Sequence, residues 1–320
     1  MWNIAGSGVA GSYLYGRLKN SGFDVRIFDP KVENFYIPCG FATNENLIKP
    51  FLDNLNIGFD QICEASGTPV EIAGNNFEPT EARNFGLCTI NKMKMEQLMV
   101  GDSVIHSKCP GPTDDPVVDA TGISRFYLPP AEGDKKMYAM EKVCSTSDHK
   151  NFYFYFFPKG RGYFWSFPLK GGYHIGAGGI DLEEVRSCLG KHESERILSR
   201  KIRMKPIMKD ITSRNVIGVG ESIGYISPLL GEGIVPALES AEALFQCIAK
   251  TDDLIEISEL YLLKIRKRMG EFNRISGLVE NMQSGKAIAL SNILSARLAL
   301  NEMKKFGFGI SFRKILSHFL

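Results

Sequence analysis

Gly6, Gly8 and Gly11 form a G-x-G-x-x-G pattern, with Ser7, Val9 and Ala10 between them. Glycines at this spacing have a defined use when a strand precedes them and a helix follows. The first permits a tight turn, the second lets the backbone approach a pyrophosphate, and the third lets the helix pack close to the sheet. The helix start adds free N–H groups and partial positive charge, which suits a phosphate. An acidic residue ending the next strand then accepts hydrogen bonds from the adenosine ribose, and Asp29, followed by Pro30, stands in that place. The pattern points to a dinucleotide, and the loop does not choose between NAD and FAD. A glycine-rich turn with no ligand is the plainer alternative.

A second cluster lies far down the chain. Residues 218–234 are rich in glycine, include Glu221, Pro228, Gly231, Glu232, Gly233 and Ile234, and lead into a helix-forming stretch over 235–244. Such a turn presents N–H groups to partial negative charge. This segment resembles the second flavin fingerprint of the p-hydroxybenzoate hydroxylase superfamily, and most closely that of its geranylgeranyl reductase branch. The resemblance implies FAD, with residue 221 at the ribityl chain and Pro228 and the Gly231–Gly233 turn against the flavin ring. A helix start at the N1–C2=O edge would stabilise the reduced anion. The branch has Asp where this chain has Glu221, which keeps the acceptor on a longer arm.

Three further matches follow from the same resemblance. Cys39-Gly40, after Pro38, corresponds to a Cys-Gly pair beside the isoalloxazine, although Phe41-Ala42 replaces the usual Glu-Gly. Cys39 would limit access to the ring or tune it, and an inert small hydrophobe is the alternative. Lys92 stands where the superfamily has an Arg before the helix following the phosphates. It keeps the charge but loses the fork, and a solvated lysine is the alternative. Gly122, in Asp119-Ala120-Thr121-Gly122, would allow backbone approach near the adenine half, with Arg125 beside it.

Tyr163, Trp165, Phe167 and Pro168, followed by Gly176 and Gly178, fit the YxWxFP…GxG pattern of geranylgeranyl reductases. The resemblance implies a sheet forming one wall of an isoprenoid cavity. Strand side chains alternate, so Tyr163, Trp165 and Phe167 share a face. A two-residue turn at Gly171-Gly172 would set Phe167 opposite Gly176, Trp165 opposite Gly178 and Tyr163 opposite Ile180. The large rings would then lie flat across the glycines, or a thin apolar ligand would run past them. Plain core packing is the alternative. Residues 152–157, aromatic at every position, predict a neighbouring strand.

These groups need elements to hold them. Residues 2–5 and 23–29 predict strands flanking a helix over 9–20, a βαβ opening ended by Ser21-Gly22. A helix is expected over 92–99, short buried strands at Val117-Val118 and over 216–220, a helix over 232–250 and mostly helix over 254–305. Residues 31–90 show no clear periodicity. The expected fold is α/β: a Rossmann-type FAD-binding domain (1–125 and 205–250), an antiparallel substrate domain (126–204) and a C-terminal helical region (251–320), arranged as in p-hydroxybenzoate hydroxylase.

Composition narrows the function. The chain has 320 residues, 44% hydrophobic and 23% charged, with net charge +2. No concentrated basic face suggests nucleic acid. The seven cysteines have no CxxC spacing, so a zinc site or secreted disulfide scaffold is not expected. A cytoplasmic protein is expected, with a basic, aromatic end packed on the body as a final helix: Phe306, Phe308, Ile310, Phe312, Ile315, Leu316, Phe319 and Leu320 among Lys304, Lys305, Arg313, Lys314 and His318. Peripheral contact of that end with a membrane surface is the alternative. The resemblance implies an FAD-dependent reductase of isoprenoid C=C bonds, with an apolar substrate. No second dinucleotide loop exists, so electrons would come from an external donor, NAD(P)H or a ferredoxin-like protein. A flavin monooxygenase or halogenase, and an electron-transfer or non-catalytic FAD-binding protein, are the alternatives.

Overall fold

The computed structural model describes residues 1–31, 38–75, 77–111, 115–190, 196–285 and 293–309. The apolar run Trp2–Ala5 is the centre of a six-stranded sheet, between Val25–Phe28 and Val117–Asp119, both parallel to it. Val216–Gly218 adds the next parallel strand, and Val104–Ile105 and Thr212–Ser213 close the edges. Ile4, Ile27, Val118 and Ile217 are fully buried in register, an apolar row across one face of the sheet's centre.

The helix Val9–Asn20 returns between the first two strands. It ends where Gly22, at φ +80°, turns the chain and Phe23 N–H reaches back to the Leu18 carbonyl. Ile234–Ile248 and Lys92–Val100 pack against it. The long helix Leu254–Gln283 starts at Asp253, whose side chain accepts from the Ile255 and Glu256 amides. It buries Ile257, Tyr261, Ile265, Met269 and Phe272, a stripe at helical spacing.

The second sheet has eight strands in the order Leu198–Arg203, Lys136–Cys144, Gly172–Gly179, Gly162–Leu169, Phe152–Phe156, Val70–Gly74, Phe77–Asn84 and Phe308–Gly309. It draws strands from both sides of the boundary expected at residue 125, and from the C-terminal region. Residues 70–84, which show no clear periodicity in sequence, pair with the aromatic strand Phe152–Phe156 through Val70–Gly74. One face carries Phe152, Phe154, Tyr163, Trp165 and Phe167 with Leu230, Phe306 and Phe308. The other carries Tyr153, Phe164, Ile175 and Ala177 beneath the helix Leu182–Leu189. A small sheet of Ala42–Asn44, Leu87–Ile90 and Cys63–Ala65 lies beside the cleft described below.

One expectation is corrected. The hairpin turns at Lys170-Gly171, with Gly171 at φ +80°, not at Gly171-Gly172. Gly172 is already in the strand, where a Cβ would lie 2.6 Å from the Cys144 carbonyl oxygen. The register is therefore shifted by two: Tyr163 faces Gly178, Trp165 faces Gly176 and Phe167 faces His174. An even shift leaves the three aromatics on one face. At the C-terminal end, Phe306 and Phe308 pack on the body in the aromatic cluster, as the packed reading expects. Lys304 and Lys305 are exposed beside them, and residues 310–320, which carry the rest of that segment, lie outside the described residues. Among the described residues, no helix is long and apolar enough to cross a membrane.

Candidate functional site

One cleft of ≈ 790 Å³ runs between the two large sheets, within the ~300–1,000 Å³ usual for small-molecule sites. At one end is the glycine loop. Gly6 has φ +103°, and a Cβ there would lie 2.5 Å from the Ala120 carbonyl oxygen. At Gly11 a Cβ would sit 2.0 Å from the Gly6 carbonyl oxygen and 3.1 Å from the Ala120 side chain. Gly8 differs: its Cβ would meet only Glu96 Oε1, at 3.9 Å. The absent side chain at Gly8 leaves open space at a helix start, where a phosphate is favoured. Gly6, Gly8, Val9 and Ala10 line the cleft; Gly11 lies behind them.

Asp29 and Pro30 border the same end. The Asp29 carboxylate accepts from the Ser7 amide (2.8 Å) and hydroxyl (2.9 Å), and pairs with Lys31 at 3.0 Å. Burial opposes its charge, but Lys31 and the Ser7 N–H outweigh burial and hold its carboxyl below the ordinary range. Lys92, the first residue of its helix, is buried and pairs with Glu96 at 2.8 Å. Burial disfavours its charge and Glu96 more than restores it. A solvated lysine is thereby excluded. Gly122, at φ +63°, also lines the cleft. Arg125 does not; it is a buried clamp on the carbonyls of Pro129, Ser222 and Asp210.

Glu221 lines the cleft, but its carboxylate is engaged by the chain itself. Oε1 accepts from the Arg203 amide at 3.0 Å and Oε2 from the Arg200 guanidinium. The extra methylene carries the carboxylate across to the strand Leu198–Arg203. Arg200 is a cleft residue that the sequence reading missed. Its signal is weak: one basic residue in an alternating, charged strand placed only by long-range pairing.

The turn Gly231–Gly233 and Ile234 border the centre of the cleft, while Pro228 is buried behind it in a loop closed by Gly231 N–H to the Ser227 carbonyl. Glu232 folds back on the helix start. Its Oε1 accepts from the Ile234 and Val235 amides, both at 2.9 Å, with the Thr43 hydroxyl at 3.5 Å. The expectation that this helix start is open to a ligand is corrected here: Glu232 already occupies two of its amides. Burial pushes the Glu232 carboxyl up to about 8, against the pull of those amides.

Cys39 and Gly40 line the cleft opposite, beside Trp165 and Phe167. Burial pushes the Cys39 thiol up, so it is no thiolate nucleophile. Tyr163, Trp165 and Phe167 form the aromatic wall, joined by Met137, Ile202, Leu230 and Phe306. The wall is also core, since the same rings pack on Phe152 and Phe154. Trp165 lies across Gly176, where a Cβ would be 2.1 Å from its ring, and Met137 covers Gly178. Neither glycine lines the cleft, nor does Pro168, whose carbonyl accepts from the Thr89 hydroxyl at 2.6 Å. The glycines make room for protein rings, and a ligand slot over them is excluded.

No protein-family model matches the chain. A protein of Methanocaldococcus jannaschii described as uncharacterised is 26% identical over 338 aligned positions, spanning 87% of this chain and 91% of its own. Among solved structures, a geranylgeranyl bacteriochlorophyll reductase-like protein from Thermoplasma acidophilum aligns with a TM-score of 0.70 at 16% identity, over 100% of this chain and 98% of that one. A tryptophan 6-halogenase from Streptomyces toxytricini gives 0.69 at 13% identity, over 99% and 89%. A flavin-dependent brominase gives 0.67 at 11% identity, over 99% and 92%. At such identities the likeness is one of fold alone, a mixed α/β architecture with a Rossmann-type parallel sheet.

Proposed function

We propose that the cleft binds FAD and that the protein is an FAD-dependent oxidoreductase reducing C=C bonds of an isoprenoid lipid. The observation carrying this reading is that a single cleft runs from the Gly6–Gly11 loop, past the Gly231–Gly233 turn, to the wall of Tyr163, Trp165 and Phe167. A dinucleotide-shaped end and an apolar end thus share one space. The likeness of fold to a geranylgeranyl bacteriochlorophyll reductase-like protein supports the choice of substrate.

Gly8 and the start of Val9–Asn20 would receive the pyrophosphate, with Lys92 and Arg200 as nearby cations and Asp29 as the ribose acceptor. Gly122 would lie near the adenine half, and Cys39-Gly40 and Gly231–Ile234 would flank the ring. In reduced form the cofactor supplies hydride to an alkene carbon. The chain's part is to orient the alkene and exclude water. Met137, Ile202, Leu230 and the aromatic wall do both, since an isolated alkene offers no charge to grip and a dry site favours the transfer. Electrons would come from an external donor. A monooxygenase or halogenase calls for a more polar pocket, so the apolar wall favours reduction.

Anaerobic incubation of the dithionite-reduced protein with geranylgeranyl lipids, read by mass spectrometry, tests the proposal. A gain of two mass units per reduced bond is expected. No gain overturns the lipid reductase, and a protein that stays colourless after FAD is added overturns the flavin itself.

A further inference from the structure

We propose that the Glu232 carboxyl delivers the proton that completes alkene reduction. This inference rests on the reductase reading above. Hydride accounts for one of the two hydrogens added, and the second needs an acid within the apolar end of the cleft.

Glu232 has the geometry for that task. Oε1 is anchored by two amide N–H groups at the start of Ile234–Ile248. Oε2 has no hydrogen-bond partner among the described residues, and the residue lines the cleft beside Ile226, Leu230 and Ile234. One oxygen thus fixes the side chain while the other is left for a proton. The competitors are committed or weaker acids. The Tyr163 hydroxyl is buried and donates to the Leu230 carbonyl at 2.5 Å. Lys92 is paired with Glu96. The Cys39 thiol is raised above its ordinary 9.0 by burial.

The proton is held for a physical reason. Burial is the main cause, and the charges of Glu239, on the same helix, and Glu302, on the helix Ile293–Phe306, act in the same direction. Tyr163 faces Glu232 from the wall as a neutral group. An acid that ionises near about 8 stays protonated at neutral pH yet gives its proton up when a carbon develops negative charge. In the step, the alkene π bond breaks. One carbon takes hydride, two electrons with one proton, from reduced FAD, which is left oxidised. The other carbon takes the Oε2 proton, and the carboxylate is reprotonated from solvent. The external donor then reduces the flavin again.

The test uses FAD-loaded protein and geranylgeranyl lipid in D₂O. Glu232→Gln keeps an acceptor for the two amides but has no acid proton. It should bind FAD as the wild type does and lose turnover by about 10²–10⁴-fold. In D₂O the hydride also carries deuterium, because reduced flavin exchanges that hydrogen with solvent, so the readout is the carbon that Glu232 protonates: wild type should place its deuterium there on one face, and Glu232→Gln should scatter it over both faces in what product remains. In the FAD-free protein at neutral pH, the infrared C=O band of a protonated carboxyl should be present and vanish in Glu232→Gln. Unchanged turnover and stereochemistry in Glu232→Gln, or no Glu232-dependent acid band, overturns the proton donor alone. Absence of turnover in wild type overturns the reductase reading itself, and the donor falls with it.

Discussion

At Gly6 a Cβ would lie 2.5 Å from a backbone oxygen, whereas at Gly8 it would meet nothing closer than 3.9 Å. The two positions therefore separate folding from binding. Gly6→Ala forces a side chain into φ +103° and into Ala120, and should destabilise the protein by about 1–3 kcal/mol or more. Gly8→Ala, at φ −75°, should leave thermal stability within about 0.5 kcal/mol and weaken FAD binding at least tenfold. Denaturant unfolding and flavin titration measure the two effects; FAD affinity unchanged in Gly8→Ala would sink the assignment of that gap to a pyrophosphate. Glu232 gives a second prediction at this scale. Its carboxyl ionises near 4.5 in the unfolded chain and at about 8 in the folded one. Between those values the unfolded chain releases a proton that the folded protein keeps, so stability falls as pH rises through that window and levels off above it. Melting of the FAD-free protein from pH 5 to 8 should show this slope in wild type and a flatter one in Glu232→Gln. The glycine loop was legible in sequence because its spacing is set by local geometry. The folding back of Glu232 was not, because the same three residues, Gly231-Glu232-Gly233, are compatible with a carboxylate turned toward a ligand or toward its own helix.

At the scale of elements, the aromatic hairpin depends on what faces each ring. Trp165 spans Gly176 so closely that an added Cβ would be 2.1 Å from the indole and 2.8 Å from the Met140 carbonyl oxygen. Backbone cannot yield here, so Gly176→Ala should cost about 1–3 kcal/mol and turn the indole toward the cleft. Trp2 and Trp165 are the two tryptophans, so in a Trp2→Phe background the emission of Trp165 reports that movement directly. An unshifted emission with unchanged stability would show that the ring is not wedged. The shared face of Tyr163, Trp165 and Phe167 was legible from strand alternation alone. The pairing was not, because Gly171 and Gly172 offer two corners one residue apart and only the approach of Cys144 to Gly172 decides between them. The strands Val70–Gly74 and Phe77–Asn84 were equally hidden. Their charged and polar residues show no clear periodicity, and they become strands once Phe152–Phe156 supplies a partner to Val70–Gly74.

The whole molecule is held at the seam between its two large sheets, and Arg203 is the centre of that seam. Its side chain is buried, pairs with Asp134 at 2.7 Å, and donates to the carbonyls of Gly122, Ile123 and Glu221. Its amide holds Glu221 Oε1. A single residue from the second sheet thus fixes both turns of the first sheet that border the cleft. Replacing it by an apolar residue of similar reach leaves three carbonyls and a carboxylate without their partner, although Lys136 still compensates Asp134 at 3.0 Å. Arg203→Met should therefore destabilise by about 3–5 kcal/mol. If the seam positions the cofactor, FAD affinity should fall too, although Arg203 does not line the cleft. Asp134→Asn is the comparison: it leaves the three carbonyl bonds in place, so it should cost less stability and leave flavin affinity near wild type. Thermal melting with and without FAD distinguishes the cases. A bound ligand at 100 times its Kd adds about 2.7 kcal/mol, and that increment should shrink in Arg203→Met while remaining in Asp134→Asn. Equal increments in the two variants would mean that the seam stabilises the protein without shaping its site.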